Sequence, residues 1–183
     1  MSALLGLDEA ERLLANYLGD TPRARHSQFV AAMMAALATS IGAEEALWRA
    51  VGLLHDIDYP LTAATPEDHG PLAAEWLAGR LQEDALLAIA AHDHRSGVIS
   101  ETPIARGLKL ADALAVLDER VGRQPLLQAL CENEAALRFL TLERPWLAEM
   151  VLRYSNQLHL TREALSTLLQ VLPPQSQLGA MTS

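Results

Sequence analysis

His55 and Asp56 stand side by side at the end of an apolar run, Val51-Gly52-Leu53-Leu54, and Pro60 closes the stretch. Proline lacks an amide hydrogen and crowds the preceding turn, so a helix carrying the run is not expected to continue past it. An imidazole next to a carboxylate in apolar surroundings needs a partner, because an unpaired buried charge is strongly unfavourable. The dipeptide alone says little. Six histidines and nine aspartates in 183 residues give roughly 0.3 His-Asp pairs by chance, so the match needs context, and His92-Asp93 is a second one. The question is whether other ligand-type residues fall where helices aim them at the same point.

Four do: His26, His69, His92 and Asp112 each share a helical face with apolar neighbours. A single inward histidine is usually a hydrogen-bonded core residue. Six such groups in an otherwise aliphatic interior are most economically explained by metal. Imidazole with carboxylate suits Zn, Fe, Mn, Co or Ni better than Ca or Mg, so the expected cofactor is one or two divalent transition-metal ions. One ion would take His26, His55, Asp56 and Asp112, and a second His69 and His92, with Asp56 bridging. Two ions about 3.5 to 4 Å apart can share a water, lower its pKa and stabilise phosphoryl oxygens. The expected chemistry is hydrolysis by a metal-activated water, with Asp56, His94 and Lys109 as the catalytic groups. His94 is assigned proton donation to the leaving oxygen, because a histidine near a metal site can titrate around neutrality. A substrate phosphate would be met by Arg23, Arg25, Arg95 or Lys109, each near a ligand in sequence. Asp58 is positioned to accept a hydrogen bond from a ligating imidazole. Asp93 is expected to be solvated, and His159 and Cys131 receive no role.

The elements that must position these residues are helical. Residues 8–18 open with acids and end at Gly19, a helix with a glycine stop. After a polar turn, Asp20 to Arg25, His26 opens a helix reaching Ser40, with Phe29, Val30, Met33, Met34 and Leu37 as its stripe. Glu44 and Glu45 begin the helix that ends at His55-Asp56. Thr65-Pro66-Glu67-Asp68 reads as a capped helix start, with His69, Leu72, Ala73 and Trp76 inward. Glu83 to Ala91 forms a shorter helix with His92 just beyond it, followed by an irregular segment, Asp93 to Val98. Thr102-Pro103 starts the helix carrying Leu108, Lys109 and Asp112. Beyond Gln124 three more helices are expected, near 125–140, 145–155 and 161–172, ending at Pro173-Pro174. Residues 175–183 are expected to be disordered. The corresponding division is an N-terminal helix to residue 22, a core over 23–120, and C-terminal helices over 121–174.

Half the residues are hydrophobic but only 4% aromatic, so the interior must be built from Ala, Leu, Val, Ile and Met, which favours an all-α fold. A net charge of −9 argues against nucleic acid as a partner and leaves room for a small anionic substrate met by a local positive centre. The single cysteine excludes an internal disulfide and suits a reducing compartment. No membrane helix and no signal peptide is legible at the start, so a soluble cytoplasmic protein is expected.

The order His26, His55-Asp56, Asp112 resembles the HD-domain superfamily of metal-dependent phosphohydrolases over roughly residues 23 to 120, and Gly107-Leu108-Lys109-Leu110-Ala111-Asp112 is similar to its last motif. The resemblance implies a helical bundle with metal in its centre. His69 and His92 match the positions that supply a second metal in dinuclear members. Two departures narrow the activity that the resemblance implies. Many relatives read His-Asp-Ile-Gly-Lys where this chain reads His55-Asp56-Ile57-Asp58-Tyr59, so a phosphate-facing lysine is missing. No Gly-Tyr-Pro segment comes after His92, which argues against cyclic-dinucleotide hydrolysis.

The leading expectation is a phosphohydrolase acting on a small phosphate ester or nucleotide. Two alternatives stay open. A diiron oxygenase of the same fold would cleave a carbon bond, with Tyr17 and Asp20 loosely similar to residues of phosphonate-cleaving relatives. A nucleotide-sensing module without turnover is the other. The region after Gln124 would form either a homodimer surface or a cover over the mouth of the site.

Overall fold

Thr21 and Pro22 start the helix on which the interior is built. The Thr21 hydroxyl accepts from the Ala24 amide at 3.2 Å, and Pro22 occupies the first turn, where its missing N–H costs nothing. The computed structural model describes residues 5–178, and among them every regular element is helical: α1 (Leu7–Leu18), α2 (Pro22–Ile41), α3 (Glu45–Leu54), α4 (Tyr59–Thr62), α5 (Pro71–Trp76), α6 (Glu83–Ala90), α7 (Pro103–Val121), α8 (Arg123–Glu132), α9 (Glu134–Leu140), α10 (Pro145–Gln157) and α11 (Arg162–Val171).

The centre is formed by α2, α3, α6 and α7. Phe29, Met33, Met34 and Leu37 of α2, Leu54 of α3, Ile89 of α6 and Leu108, Leu110, Leu114 and Leu117 of α7 are fully buried. Close approach is enforced by glycine. A Cβ added at Gly52 would lie 2.5 Å from Ala31 Cα, so the α2 and α3 backbones touch there. One at Gly107 would lie 2.3 Å from the Trp48 ring, which seats α3 against α7. Around this centre α1 packs on α3, α5 on α6 and α10 on α7, while α8, α9 and α11 form a C-terminal cluster. Arg123 ties that cluster to α7, pairing with Asp118 at 2.7 Å and donating to the Leu172 carbonyl at 2.8 Å.

Several boundaries differ from those read in the sequence. Helix α2 begins at Pro22 rather than His26, which puts Arg23 and Arg25 on the helix instead of in a turn. Thr65-Pro66 does not start a helix. Residues 66–70 are turns, because Gly70 takes φ 91° and Pro71 begins α5 after it. Pro60 lies in the first turn of the four-residue α4 rather than ending a longer helix. The span 125–140 is broken at Asn133, whose extended backbone stops α8 and whose side chain accepts from the Ala136 amide to start α9. Gln175–Gln177 form a 3₁₀ turn, and Gln175 Nε2 donates to the Ala115 carbonyl at 2.7 Å. Residues 179–183 of the expected disordered tail lie outside the described residues. The expected division at residue 120 falls in the last turn of α7.

Candidate metal centre

His26 sits in the second turn of α2, and Asp112 faces it from the middle of α7. His55 follows the last residue of α3, with Asp56 in the turn beyond. His69 lies in the turn before α5, and His92 comes just after α6. The six groups meet around Asp56. Its Oδ2 lies 3.4 Å from His55 Nε2 and 3.9 Å from His26 Nε2, and its Oδ1 lies 3.1 Å from His69 Nε2 and 3.5 Å from His92 Nε2. His26 Nε2 also meets Asp112 Oδ1 at 2.9 Å. His55 is fully buried, while the Asp112 side chain keeps 25% of its surface and gives the cluster an opening.

Three of the imidazoles are oriented from behind. His55 Nδ1 donates to the Gly52 carbonyl at 2.8 Å, His92 Nδ1 to the Ile89 carbonyl at 2.7 Å, and His69 Nδ1 to Asp58 Oδ1 at 2.9 Å. Holding the proton on Nδ1 leaves Nε2 as the lone-pair donor, the tautomer a metal requires. The Asp58 carboxylate is itself held, since its Oδ2 accepts from the amides of Gly70 at 2.7 Å and Ala73 at 3.2 Å. Gly70 is needed at this point, because a Cβ there would lie 2.6 Å from the Ile89 carbonyl and 3.1 Å from His92 Nδ1.

Electrostatics follow from this packing. Burial lowers the His55 pKa to about 4 despite the attraction of Asp56, so the ring is neutral. Burial opposes ionisation of Asp56, but His55, His69 and His92 outweigh it and hold the carboxyl well below its usual range. Burial likewise opposes the charge on His69, yet its hydrogen bonds to Asp56 and Asp58 raise it to about 10. His55 Nε2 is buried with no hydrogen-bond partner. A lone pair enclosed by carboxylates and other imidazoles is unfavourable unless something binds it.

The donor set fits a metal on that ground. His26, His55 and Asp112 offer donor atoms within 4.8 Å of one another, and so do His55, Asp56 and His92. His69 Nε2 lies 3.2 Å from His92 Nε2 at the edge of the second group.

Residues 23–117 match the family model described as HD domain. The chain belongs to the HD-domain family. HD-domain proteins form a superfamily of metal-dependent phosphohydrolases that bind divalent metals, and the buried His/Asp cluster lies entirely within the matched segment. Comparison with curated proteins and with solved structures gave no match. Among the described residues, no helix is long and apolar enough to cross a membrane.

Of the expected phosphate-binding residues, Arg23 reaches the HD-domain cluster. Its Nη1 lies 2.9 Å from Asp56 Oδ2, and its guanidinium stacks 3.8 Å above the Tyr59 ring. The residue in place of the family's lysine thus carries a cation at second hand. The signal was available: in a helix started by Thr21-Pro22, Arg23 lies three residues before His26 and shares its face. Arg25 pairs instead with exposed Asp20 at 2.8 Å. Arg95 pairs with Asp93, whose carboxylate also accepts from the Arg95 amide, so Asp93 is only 14% exposed rather than solvated. The His94 side chain is 92% exposed and is not brought to the cluster. Lys109 is half-buried one turn before Asp112, donating to the Ser100 carbonyl at 3.3 Å, and burial lowers its pKa. Tyr17 stacks on Trp76 with centroids 4.9 Å apart, and the Asp20 side chain is 82% exposed. Neither joins the cluster.

Proposed function

We propose that this HD-domain chain is a metal-dependent hydrolase of small phosphate esters. The observation that carries the reading is the convergence of His26, His55, His69, His92, Asp56 and Asp112, with a buried, unpartnered Nε2 on His55 among them. His26, His55, Asp56 and Asp112 would hold one ion, and His69 and His92 a second, with Asp56 shared. A divalent ion there supplies Lewis acidity towards phosphoryl oxygens and makes a hydrolytic water acidic near neutral pH. The protein's own part is positioning and charge. Asp56, ionised and in contact with four imidazoles, keeps the donor atoms of both groups together. Asp58 and the carbonyls of Gly52 and Ile89 keep the ring protons on Nδ1, so each Nε2 remains a donor. Arg23, resting on Tyr59 beside Asp56 and itself partly exposed, offers a guanidinium to a phosphate oxygen, which suits a planar bidentate contact.

The test is metal analysis of purified full-length protein followed by assays with phosphate monoesters and diesters after loading with Mn, Fe, Zn, Co or Ni. Phosphate release that requires metal, and that disappears in His55→Ala and Asp56→Ala along with the metal, is the expected result. Unchanged metal content in both variants would defeat the reading. Turnover confined to iron-loaded protein under oxygen, with organophosphonates as the only substrates, would replace it with oxygenase chemistry.

A further inference from the structure

A cavity of about 840 Å³ adjoins the cluster and shares His92 with it. Its volume is that of a site for a molecule larger than inorganic phosphate. One side is formed by His92, His94 and the segment Gly97 to Ile99, and the other by Trp146, Met150, Arg153 and Tyr154 of α10, with Lys109 of α7 and Glu101 also lining it. The two charged groups that α10 and its neighbour bring there neutralise each other, since Arg153 pairs with Glu101 at 3.2 Å. Lys109 is different. It is the chain's single lysine, and among the described residues no carboxylate lies within 4.0 Å of its Nζ. Its nearest partners are the Ser100 carbonyl and the Tyr154 ring, whose centroid lies 5.7 Å away. Glu101 of the same cavity attracts the ammonium and Arg153 repels it, but neither carboxylate oxygen of Glu101 pairs with it. Its direct contacts are therefore a carbonyl and an aromatic face, and it can meet an anion; in a chain of net charge −9 such a centre is what an anionic substrate requires.

The apolar side is equally specific. Ile99 is 81% exposed and Trp146 51% exposed, and both belong to the lining of this cavity. Large apolar side chains that face a concave site gain from a flat apolar ligand, because covering them removes their surface from water.

We propose that this cavity is the substrate pocket of the metal centre and that it selects phosphate esters of a flat, apolar or aromatic group, with Lys109 meeting the anionic head and Ile99, Trp146 and Met150 covering the organic part. The inference rests on the hydrolase reading of the His/Asp cluster and adds the substrate class. It also assigns a role to α10, which lies outside the segment matched by the HD domain.

The experiment uses manganese-loaded full-length protein and two non-hydrolysable probes, 1-naphthylmethylphosphonate and methylphosphonate, titrated by calorimetry. The naphthyl probe is expected to bind at least about tenfold more tightly, in line with what an apolar pocket discriminates. Trp146→Ala combined with Met150→Ala should bring the two affinities together, and Ile99→Asp, on the opposite wall and at an exposed position, should do the same. Lys109→Met should weaken both probes and leave their ratio intact. Reductive ¹³C-methylation gives the single lysine one side-chain NMR signal, and that signal should shift with either probe. Equal affinity for the two probes, or a preference that survives both wall variants, overturns the proposal. Failure of the pocket and failure of the centre are separable. Metal-dependent ester hydrolysis without aryl preference removes the pocket and keeps the centre, whereas wall-dependent naphthyl binding in a protein that retains no metal keeps the pocket as a binding site and removes the hydrolase reading.

Discussion

Asp58 Oδ1 accepts a hydrogen bond from His69 Nδ1 at 2.9 Å inside a side-chain environment closed to solvent. The other oxygen is occupied by two backbone amides, so an amide in place of the carboxylate would set a donor against a donor. Asp58→Asn should lower metal affinity about 10- to 100-fold, the usual consequence of disturbing a group that orients a ligating imidazole. It should also cost about 1–3 kcal/mol in stability through the unsatisfied polar group. Metal titration calorimetry and denaturant unfolding read the two effects separately, and unchanged affinity would mean that Asp58 is only structural.

The metal-free protein should lose stability on the alkaline side. His69 binds its proton more tightly in the fold than in the unfolded chain, about 10 against an ordinary 6.5, and His26 and His92 are shifted in the same direction. Stabilisation from these groups is full below the ordinary value and is lost as pH rises through the raised one. His55 works oppositely. Its folded value of about 4 means that stability is lost as pH falls from 6.5 towards 4. Calorimetric melting of chelated protein should therefore show a maximum near neutrality and a decline towards about pH 10, with His69→Gln flattening the alkaline limb. Metal competes with protons for the same Nε2 atoms, so reloaded protein should not show that decline.

Gly52→Ala should be among the most damaging single-methyl changes in the chain. The added carbon meets backbone, Ala31 Cα at 2.5 Å and Ala31 N at 2.7 Å, and backbone cannot rotate away as a side chain can. Separating α2 from α3 should cost about 1–3 kcal/mol and should shift His26 relative to His55. A fall in melting temperature together with weaker metal binding is the expected pair of results. Ala31→Gly in the same chain should not rescue it, because the atoms met, Ala31 Cα and N, are backbone atoms that glycine retains.

Arg23 and Arg25 separate contact with the centre from proximity in sequence. Arg23→Ala removes the guanidinium paired with Asp56 and stacked on Tyr59 and should raise KM for a phosphate ester by about tenfold or more, the scale of one charge-assisted contact. Arg25→Ala breaks an ion pair with an exposed aspartate and should change KM by less than about twofold. Steady-state kinetics on the two variants decides. Equal effects would mean that Arg23 reaches phosphate only through general field strength.

The six ligand-type residues are legible because each sits beside apolar neighbours in a chain that is otherwise aliphatic, and the all-helical architecture is legible from the same composition. Tertiary detail is not. His69 is not aimed by helical periodicity at all: the expected helix at Thr65 is absent, and the ring is aimed by Asp58 from eleven residues upstream. Thr-Pro marks a true helix start at Thr21 and Thr102 but not at Thr65, where Gly70 and Pro71 impose a later one. The place of Arg23 is hidden as long as α2 is taken to begin at His26, since the residue then falls in a turn rather than on the helix. The wall that α10 contributes cannot be seen, because nothing local in Trp146 or Met150 reveals that α10 packs on α7.

The cavity joins His92 of the His/Asp cluster, inside the HD domain, to a wall contributed by α10, which begins beyond the matched segment. On the proposed reading, selectivity is free to drift while the His/Asp cluster stays fixed, because Trp146 and Met150 are not among the residues that would hold metal. Kinship judged over residues 23–117 therefore carries information about what chemistry can be run and very little about which molecule it is run on.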